Sequence, residues 1–384
     1  MSLNIANRIS NMPTSIFSTI SKMAIEYNAT NLGQGFPDFD GPQWIAEALC
    51  QAAKEGKNQY APSIGIQKLR ESIANYHQSY YNLNWDIDKE ITITSGATEA
   101  FYCTINAFIN PNDEVIIFEP FYDAYQTVVS MAGGICRYIS LNKPSFTFDF
   151  DELSLLINSK TKMIILNNPH NPSGKVFTLE ELNFIAKLAI EHNLLVVSDE
   201  VYEFLTFDKI KHIPISSING MKKRTITLSS TGKTFSMTGW KVGFAIAEQK
   251  LSEAIRKVHQ WVTFSVNTPA QHSMAYAFSQ LDKYLPEFKL MYQNKRDLVL
   301  NSLKDSSFKL CKPNGAYFII AELPYGRFIN DIDAATQLAK NYGVAIIPTS
   351  VFYAKSNEGE QLIRICFAKT DEILLEGINK LLSI

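Results

Sequence analysis

Lys233 stands in the stretch Leu228-Ser-Ser-Thr-Gly-Lys-Thr-Phe-Ser-Met-Thr-Gly-Trp-Lys-Val-Gly243, among small and hydroxylated residues, with Ser230 three positions before it and Lys241 eight after. Apolar segments, Thr225–Leu228 and Val242–Ala247, flank it. A lysine in a partly apolar setting gives up its proton more readily than one in water, and the neutral amine attacks carbonyl carbons. Two other chemistries place a lysine near serine and glycine, and neither fits. A phosphate-binding P-loop needs glycine at position 227, where the chain has Thr227. An SxxK acyl-enzyme wants SDN and KTG accessory motifs, and neither is found.

Further polar clusters fall just after apolar runs. Ser95-Gly-Ala-Thr98 opens a helix after a short strand, where free N–H groups and the positive helix end suit a phosphate, or simply form an N-cap. Asn167-Asn-Pro-His-Asn-Pro-Ser-Gly174 packs two Asn-Pro steps into one loop, a rigid frame for aiming Asn171 at a ligand oxygen or a plain turn. Ser198-Asp-Glu-Val-Tyr202 ends an apolar strand with a carboxylate that needs a partner, such as a protonated pyridine nitrogen, a helix N-cap or a salt bridge. Leu362-Ile-Arg-Ile-Cys-Phe367 sets Arg364 in an apolar strand, which suits a planar anion such as a substrate carboxylate. Together these partners turn the nucleophilic lysine into a candidate for carrying pyridoxal phosphate as a Schiff base, with Ser230 and Lys241 on the phosphate.

The elements that must position these groups alternate. Strands near 91–94, 114–118, 163–166 and 194–197 are interleaved with helices near 99–108, 122–132 and 178–192, and the last opens on a capping box, Thr178 with Glu181. That order predicts a mainly parallel sheet with helices on both faces and ligands beyond its carboxyl edge. The N-terminal 31 residues read as an arm plus a helix near 16–27. After Ala247 helices dominate, near 252–264, 269–279 and 285–303. The C-terminal part reads as a smaller α+β domain, with strands near 308–311, 316–321, 344–347 and 362–367. The expected division is 1–40 (arm and small-domain segment), 41–285 (large cofactor-binding domain) and 286–384 (small domain).

At 384 residues the chain is long for one core, and 46% hydrophobic with 19% charged residues is a globular composition. A net charge of -2 offers no electrostatic case for nucleic acid or an anionic membrane. The five cysteines form no CxxC pair and the six histidines no HExxH, which argues against a disulfide framework or a metal site and fits a reduced, cytoplasmic setting. No segment reads as a bilayer span.

The set Tyr60, Ser95–Thr98, Asn171-Pro-Ser-Gly174, Asp199 with Tyr202, Ser230-Thr-Gly-Lys233, Lys241 and Arg364 resembles the class I aminotransferases of pyridoxal 5'-phosphate fold type I, in order and over essentially the whole chain. Segments 31–39, 232–243 and 255–271 are similar to the methionine, kynurenine and glutamine transaminases within that family. The resemblance implies an α/β fold, a large domain with a mainly parallel sheet plus a smaller α+β domain. It implies that Lys233 bonds the cofactor and then acts as general base and acid on the substrate α-proton, while Asp199 pairs with the pyridine nitrogen. Tyr202 and Asn171 bond the ring oxygen, and Tyr122 stacks on the ring. Gly96, Ala97, Thr98, Ser230 and Lys241 hold the phosphate, joined by Tyr60 from a second subunit, which makes the enzyme a homodimer with shared sites. Arg364, Asn171 and the Gly35 backbone take the substrate carboxylate. Lys241 departs from the arginine common at that position, keeping the charge and losing the fork.

The reaction so implied moves an amino group from an amino acid to a 2-oxo acid. Aspartate-type members carry an arginine near the equivalent of 262–264, and that stretch is uncharged here. Phe17, Phe36, Tyr60, Tyr122, Phe264 and Phe352 instead suggest an apolar pocket, with Phe36 and Phe264 on the substrate. Methionine or an aromatic amino acid is the expected donor. Kynurenine or glutamine transamination and C–S β-lysis are the alternatives, since all share a carbanion. A ligand-sensing regulator would need a DNA-binding module, for which there is no spare length or basic segment.

Overall fold

A computed structural model describes residues 5–10, 12 and 14–384. Residues 1–4 of the expected arm, with Asn11 and Pro13, lie outside the described residues.

The helices, in chain order, are α1 (Asn7–Ser10), α2 (Ile16–Glu26), α3 (Gln43–Lys54), α4 (Gln67–Tyr81), α5 (Gly96–Phe108), α6 (Ala124–Met131), α7 (Phe150–Leu156), α8 (Leu179–Glu191), α9 (Thr231–Thr234), α10 (Gln249–Val262), α11 (Thr268–Ser279), α12 (Leu281–Ser302), α13 (Asp331–Tyr342) and α14 (Asp371–Leu382). The strands are β1 (Thr30–Asn31), β2 (Ile91–Ser95), β3 (Glu114–Glu119), β4 (Ile135–Ser140), β5 (Thr161–Asn167), β6 (Leu195–Asp199), β7 (Thr225–Ser230), β8 (Val242–Ile246), β9 (Lys309–Cys311), β10 (Phe318–Glu322), β11 (Val344–Ala345), β12 (Ile347–Pro348) and β13 (Leu362–Cys366).

Seven strands form the large sheet in the order β2-β8-β7-β6-β5-β3-β4. The run from β7 to β4 is parallel, and β8 alone is antiparallel to its neighbours. The expected mainly parallel α/β sheet is therefore present. Its strands alternate between two apolar layers, as period-2 side chains must when both faces are covered. Val115, Ile117, Ile165, Val197 and Ile226 pack in one cluster, while Ile116, Phe118, Ile164, Leu166 and Val196 pack in the other. The Thr178 capping box forms as expected: Thr178 accepts from the Glu181 N–H, and Glu181 reaches back to the Thr178 N–H.

The C-terminal strands make a four-stranded antiparallel sheet, β12-β13-β10-β9, beside α13 and α14. β1 pairs in parallel with β11 as a separate two-stranded sheet, which ties the residues just after α2 to the C-terminal part of the chain. Among the elements that went unread in the sequence are β4 and α7. β4 is an edge strand with an exposed face, and α7 is a seven-residue helix capped by Asp149.

Topology sets the edge that matters. β2, β5, β6 and β7 all end at one rim of the large sheet, and antiparallel β8 begins there, with Ser95 opposite Val242 and Ser230 opposite Gly243. Ser95, Asn167, Asp199, Ser230 and Lys241 therefore meet although the chain separates them widely. The meeting is close enough to require glycine: a Cβ on Gly243 would lie 2.5 Å from the Gly96 carbonyl carbon.

Candidate active site

A cavity of about 320 Å³ opens on that rim. Its walls include Gly35, Phe36, Gly96, Ala97, Thr98, Tyr122, Asn171, Asp199, Tyr202, Ser230, Lys233, Lys241 and Arg364. The residues singled out in the sequence for cofactor and substrate line this cavity, Phe17 included, except Phe352, which is buried against Phe17, and Tyr60 and Phe264. The last two lie on the surface, 83% and 49% exposed, and pack edge-on to each other with centroids 5.5 Å apart.

β7 delivers Ser230 and passes directly into α9, which carries Lys233. Burial pushes the Lys233 amine down to about 8 against residual attraction from neighbours including Asp199, and Arg364 and Lys241 push the same way as burial. Its nitrogen donates to the Gly35 carbonyl at 3.2 Å and to the Tyr317 hydroxyl at 2.9 Å. The sequence reading had no role for Tyr317.

Asp199 ends β6. Burial raises its carboxyl to about 6, although the Tyr125 hydroxyl, the Val201 N–H and Lys233 favour the charged form. Tyr125 donates to Oδ2 at 2.6 Å, a partner no sequence pattern pointed to. Asn167, at the end of β5, donates its side-chain amide to the Asp199 carbonyl at 2.9 Å and accepts the Asn171 N–H at 2.6 Å, which fixes the Asn-Pro loop against β6.

At the N-terminus of α5 the turn is built for close approach. Gly96 has φ +75°, and a Cβ there would stand 3.2 Å from the Lys241 amine. Free N–H groups, Ser230 and Lys241 converge on this corner of the cavity. Glu99 in the first turn accepts the Ser95 N–H and pairs with His259 Nδ1 at 2.7 Å, and His259 Nε2 donates to the Ser63 carbonyl at 2.8 Å. Glu99, Cys103 and His259 offer ligand atoms within 4.8 Å of one another. Both imidazole nitrogens are spent on protein acceptors, so the trio is read as an ion pair with a thiol beside it.

Arg364 crosses from the second sheet, fully buried, donating to Asn171 Oδ1 at 3.0 Å and to the Gly33 carbonyl at 2.8 Å, while its Nε has no protein partner among the described residues. Its guanidinium lies 4.1 Å from the Phe318 ring centroid and 5.2 Å from that of Phe17. Burial lowers its pKa, the direction expected of a cation short of counter-charge. Phe17 leans on Tyr122 and Phe352 at 6.3 Å and 6.1 Å, forming an apolar wall beside the arginine.

The chemistry of this rim is specific: a lysine with a depressed pKa, a buried carboxylate facing it, a glycine-lined helix start with a second lysine, and an arginine aimed from another sheet. The chain belongs to the aminotransferase class I and II family, which it matches over residues 27–381. It is 40% identical to the methionine aminotransferase of Escherichia coli, with 98% of this chain and 97% of that protein covered. It is 37% identical to the kynurenine–oxoglutarate transaminase of Dictyostelium discoideum, covering 99% and 96%. A solved methionine aminotransferase from Escherichia coli superposes with a TM-score of 0.96 at 38% identity over the whole of both chains. The N-succinyldiaminopimelate aminotransferase of Mycobacterium tuberculosis superposes with the same score at 35% identity, covering 99% of this chain and 100% of that one.

Proposed function

We propose that this chain transfers the amino group of an apolar amino acid, methionine or an aromatic one, to a 2-oxo acid, using pyridoxal 5'-phosphate held on the rim of the large sheet. The observation that carries the reading is the single cavity in which a pKa-lowered Lys233 faces both buried Asp199 and buried Arg364.

The residues present fit the cofactor. A carboxyl pushed up by burial is a partner for a protonated ring nitrogen, and Gly96 leaves room that any side chain would fill. Gly96, Ala97, Thr98, Ser230 and Lys241 would hold the phosphate, Tyr122 the ring face, and Tyr202 with Asn171 the ring oxygen. Bound there, pyridoxal phosphate supplies an electron sink for negative charge at the substrate α-carbon.

The chain's own groups do the rest. Arg364, with Asn171 and the Gly35 backbone, grips the α-carboxylate and orients the Cα–H bond. Lys233 Nζ is the covalent attachment point, takes the α-proton as a base and returns it as an acid, and its lowered pKa suits both directions near neutrality. Phe17, Phe36 and Tyr122 wall the side-chain space. The charged residues lining the cavity are Asp199, Lys233, Lys241 and Arg364, so a second substrate carboxylate would find no arginine of its own.

Tyr60 and Phe264 enter this reading across a homodimer interface. Their neighbours Trp261 and Val262 are 84% and 50% exposed, a patch suited to burial against a second copy. We also assign residues 41–285 to a cofactor-binding domain and 286–384, with residues up to 40, to a domain that closes on the substrate. The likeness to methionine and kynurenine transaminases supports the donor class and a two-substrate enzyme, and the cysteine usage fits a cytoplasmic setting.

The test is an amino-donor screen on purified protein, with each donor paired with a 2-oxo acid acceptor. Methionine, phenylalanine and kynurenine should turn over well ahead of aspartate. Release of pyruvate and ammonia from a cysteine conjugate, without acceptor-dependent transamination, would assign the site to β-lysis instead. In Lys233→Ala the visible absorbance of the bound cofactor and turnover should both vanish, and their survival would overturn the assignment of the lysine.

A further inference from the structure

Tyr317 sits on β10's approach, wholly buried, with its ring held by three others. Tyr292 stacks on it at 5.9 Å, while Tyr202 and Phe318 meet it edge-on at 5.0 Å and 4.8 Å. Such a ring cannot swing its hydroxyl away. That hydroxyl has one hydrogen, which it donates to the Gly35 carbonyl at 2.8 Å. Toward Lys233 its oxygen can therefore only accept, and the Lys233 amine donates to it at 2.9 Å. The same Gly35 carbonyl takes a second N–H from Lys233 at 3.2 Å. Lys233, Tyr317 and Gly35 form a closed triangle that joins the rim of the large sheet, the second sheet and the segment after β1.

We propose that Tyr317 is a catalytic residue: its hydroxyl is the docking point of the Lys233 amine whenever that amine is free of a covalent bond, and it fixes where the nitrogen waits between taking the α-proton and returning it. This rests on the proposed role of Lys233 as base and acid. The contact exists only for an amine with N–H bonds to spend, so it forms and breaks once in each half-reaction. An ammonium donates more strongly than an amine, so the accepting oxygen favours the protonated form. That preference acts against burial, which lowers the pKa of Lys233.

Tyr317→Phe tests the point cleanly. It removes one oxygen and keeps the ring, and with it the 5.6 Å approach of the lysine nitrogen to the ring centroid. The first readout needs no turnover: site-resolved acylation of Lys233 against pH in the full chain stripped of cofactor. The midpoint is expected to move down by about half a pH unit, less than a full lost charge-assisted bond because the Gly35 carbonyl is freed to accept more strongly. The second is the primary isotope effect with an α-deuterated amino donor in the holoenzyme, which should rise as proton transfer slows, while KM changes little.

An unchanged midpoint together with an unchanged isotope effect overturns the proposal, as does a variant whose only change is a lower melting temperature. Tyr292→Phe alters the stacked neighbour without touching the triangle and should move neither readout, and a shift there equal to that of Tyr317→Phe would also overturn it. Failure of the role of Lys233 itself looks different: cofactor absorbance would then survive Lys233→Ala.

Discussion

Asp199 shows how a single side chain carries function at the expense of stability. An ordinary aspartate ionises near 3.8, but burial lifts this one to about 6. Between those values the folded chain holds more protons than the unfolded one, so stability falls as pH rises through that window and stays lower above it. Asp199→Asn removes the buried charge. Without cofactor, the variant is expected to be more stable than wild type by about 2 kcal/mol at pH 7, allowing for the weakened bond from Tyr125. Urea denaturation at pH 7 and pH 4 checks the cause, because the advantage should shrink at the lower pH. With Asp199 in its proposed place beside the ring nitrogen of pyridoxal phosphate, turnover should fall by on the order of 10³-fold, since that nitrogen would lose its counter-charge. Asp199, Lys233, Ser230 and Asn171 were legible in the sequence because each closes a recognisable apolar run or sits in the loop just beyond one. Tyr125 and Tyr317 were not. Their partners lie 74 and 84 residues away, and a tyrosine in an apolar stretch looks like core until its hydroxyl is seen to have an acceptor.

Among the elements, α5 depends on one buried ion pair. Glu99 and His259 are 6% and 1% exposed, and the pair ties the turn proposed to hold the phosphate to Ser63, in the loop that carries Tyr60. Burial opposes the charge on His259, and the hydrogen bond and attraction of Glu99 overcome it, leaving the imidazole raised above its ordinary value. Arg256 pushes the other way. The contribution of His259 is thus complete below the unfolded histidine pKa and is lost as pH climbs through the raised one. Glu99 is lowered, despite burial, by His259 and the Ser95 N–H, so its share is lost only as pH falls through that lowered value. His259→Ala should cost about 3–5 kcal/mol in urea unfolding near neutrality, because it strands a buried carboxylate. Helices and strands with both periodicity and caps, α8 above all, were readable. β4 was not: its neighbours are a Gly133-Gly134 turn and a polar edge, so its alternation leaves no sustained apolar run. Register and the antiparallel insertion of β8 are set by pairing across the sheet, which a linear pattern does not encode.

At the scale of the molecule, the exposed Tyr60–Phe264 pair separates a one-chain site from a two-chain one. If Tyr60 completes the neighbour's site, Lys233→Ala and Tyr60→Ala are each defective but complementary. Mixed dimers then hold one site with both residues intact. Equal mixing after subunit exchange should restore about a quarter of wild-type activity, half the dimers being hybrid with one working site each. Activity no greater than the sum of the separate variants would place Tyr60 outside the site. A second, smaller set of strands could be anticipated from the change of texture after Ala247, and it forms the four-stranded sheet. The pairing of β1 with β11 could not, because two residues give no pattern.

The cavity gathers Lys233, Arg364 and Asp199 where burial works against the charge of each. A ligand that answers those charges binds only the folded chain, and so shifts the folding equilibrium by mass action. With pyridoxal phosphate as that ligand, vitamin supply becomes a determinant of how long the protein lasts: a cell short of the cofactor would hold a looser chain, cleared sooner by its proteases, and the amount of enzyme would follow the amount of coenzyme without any dedicated regulator.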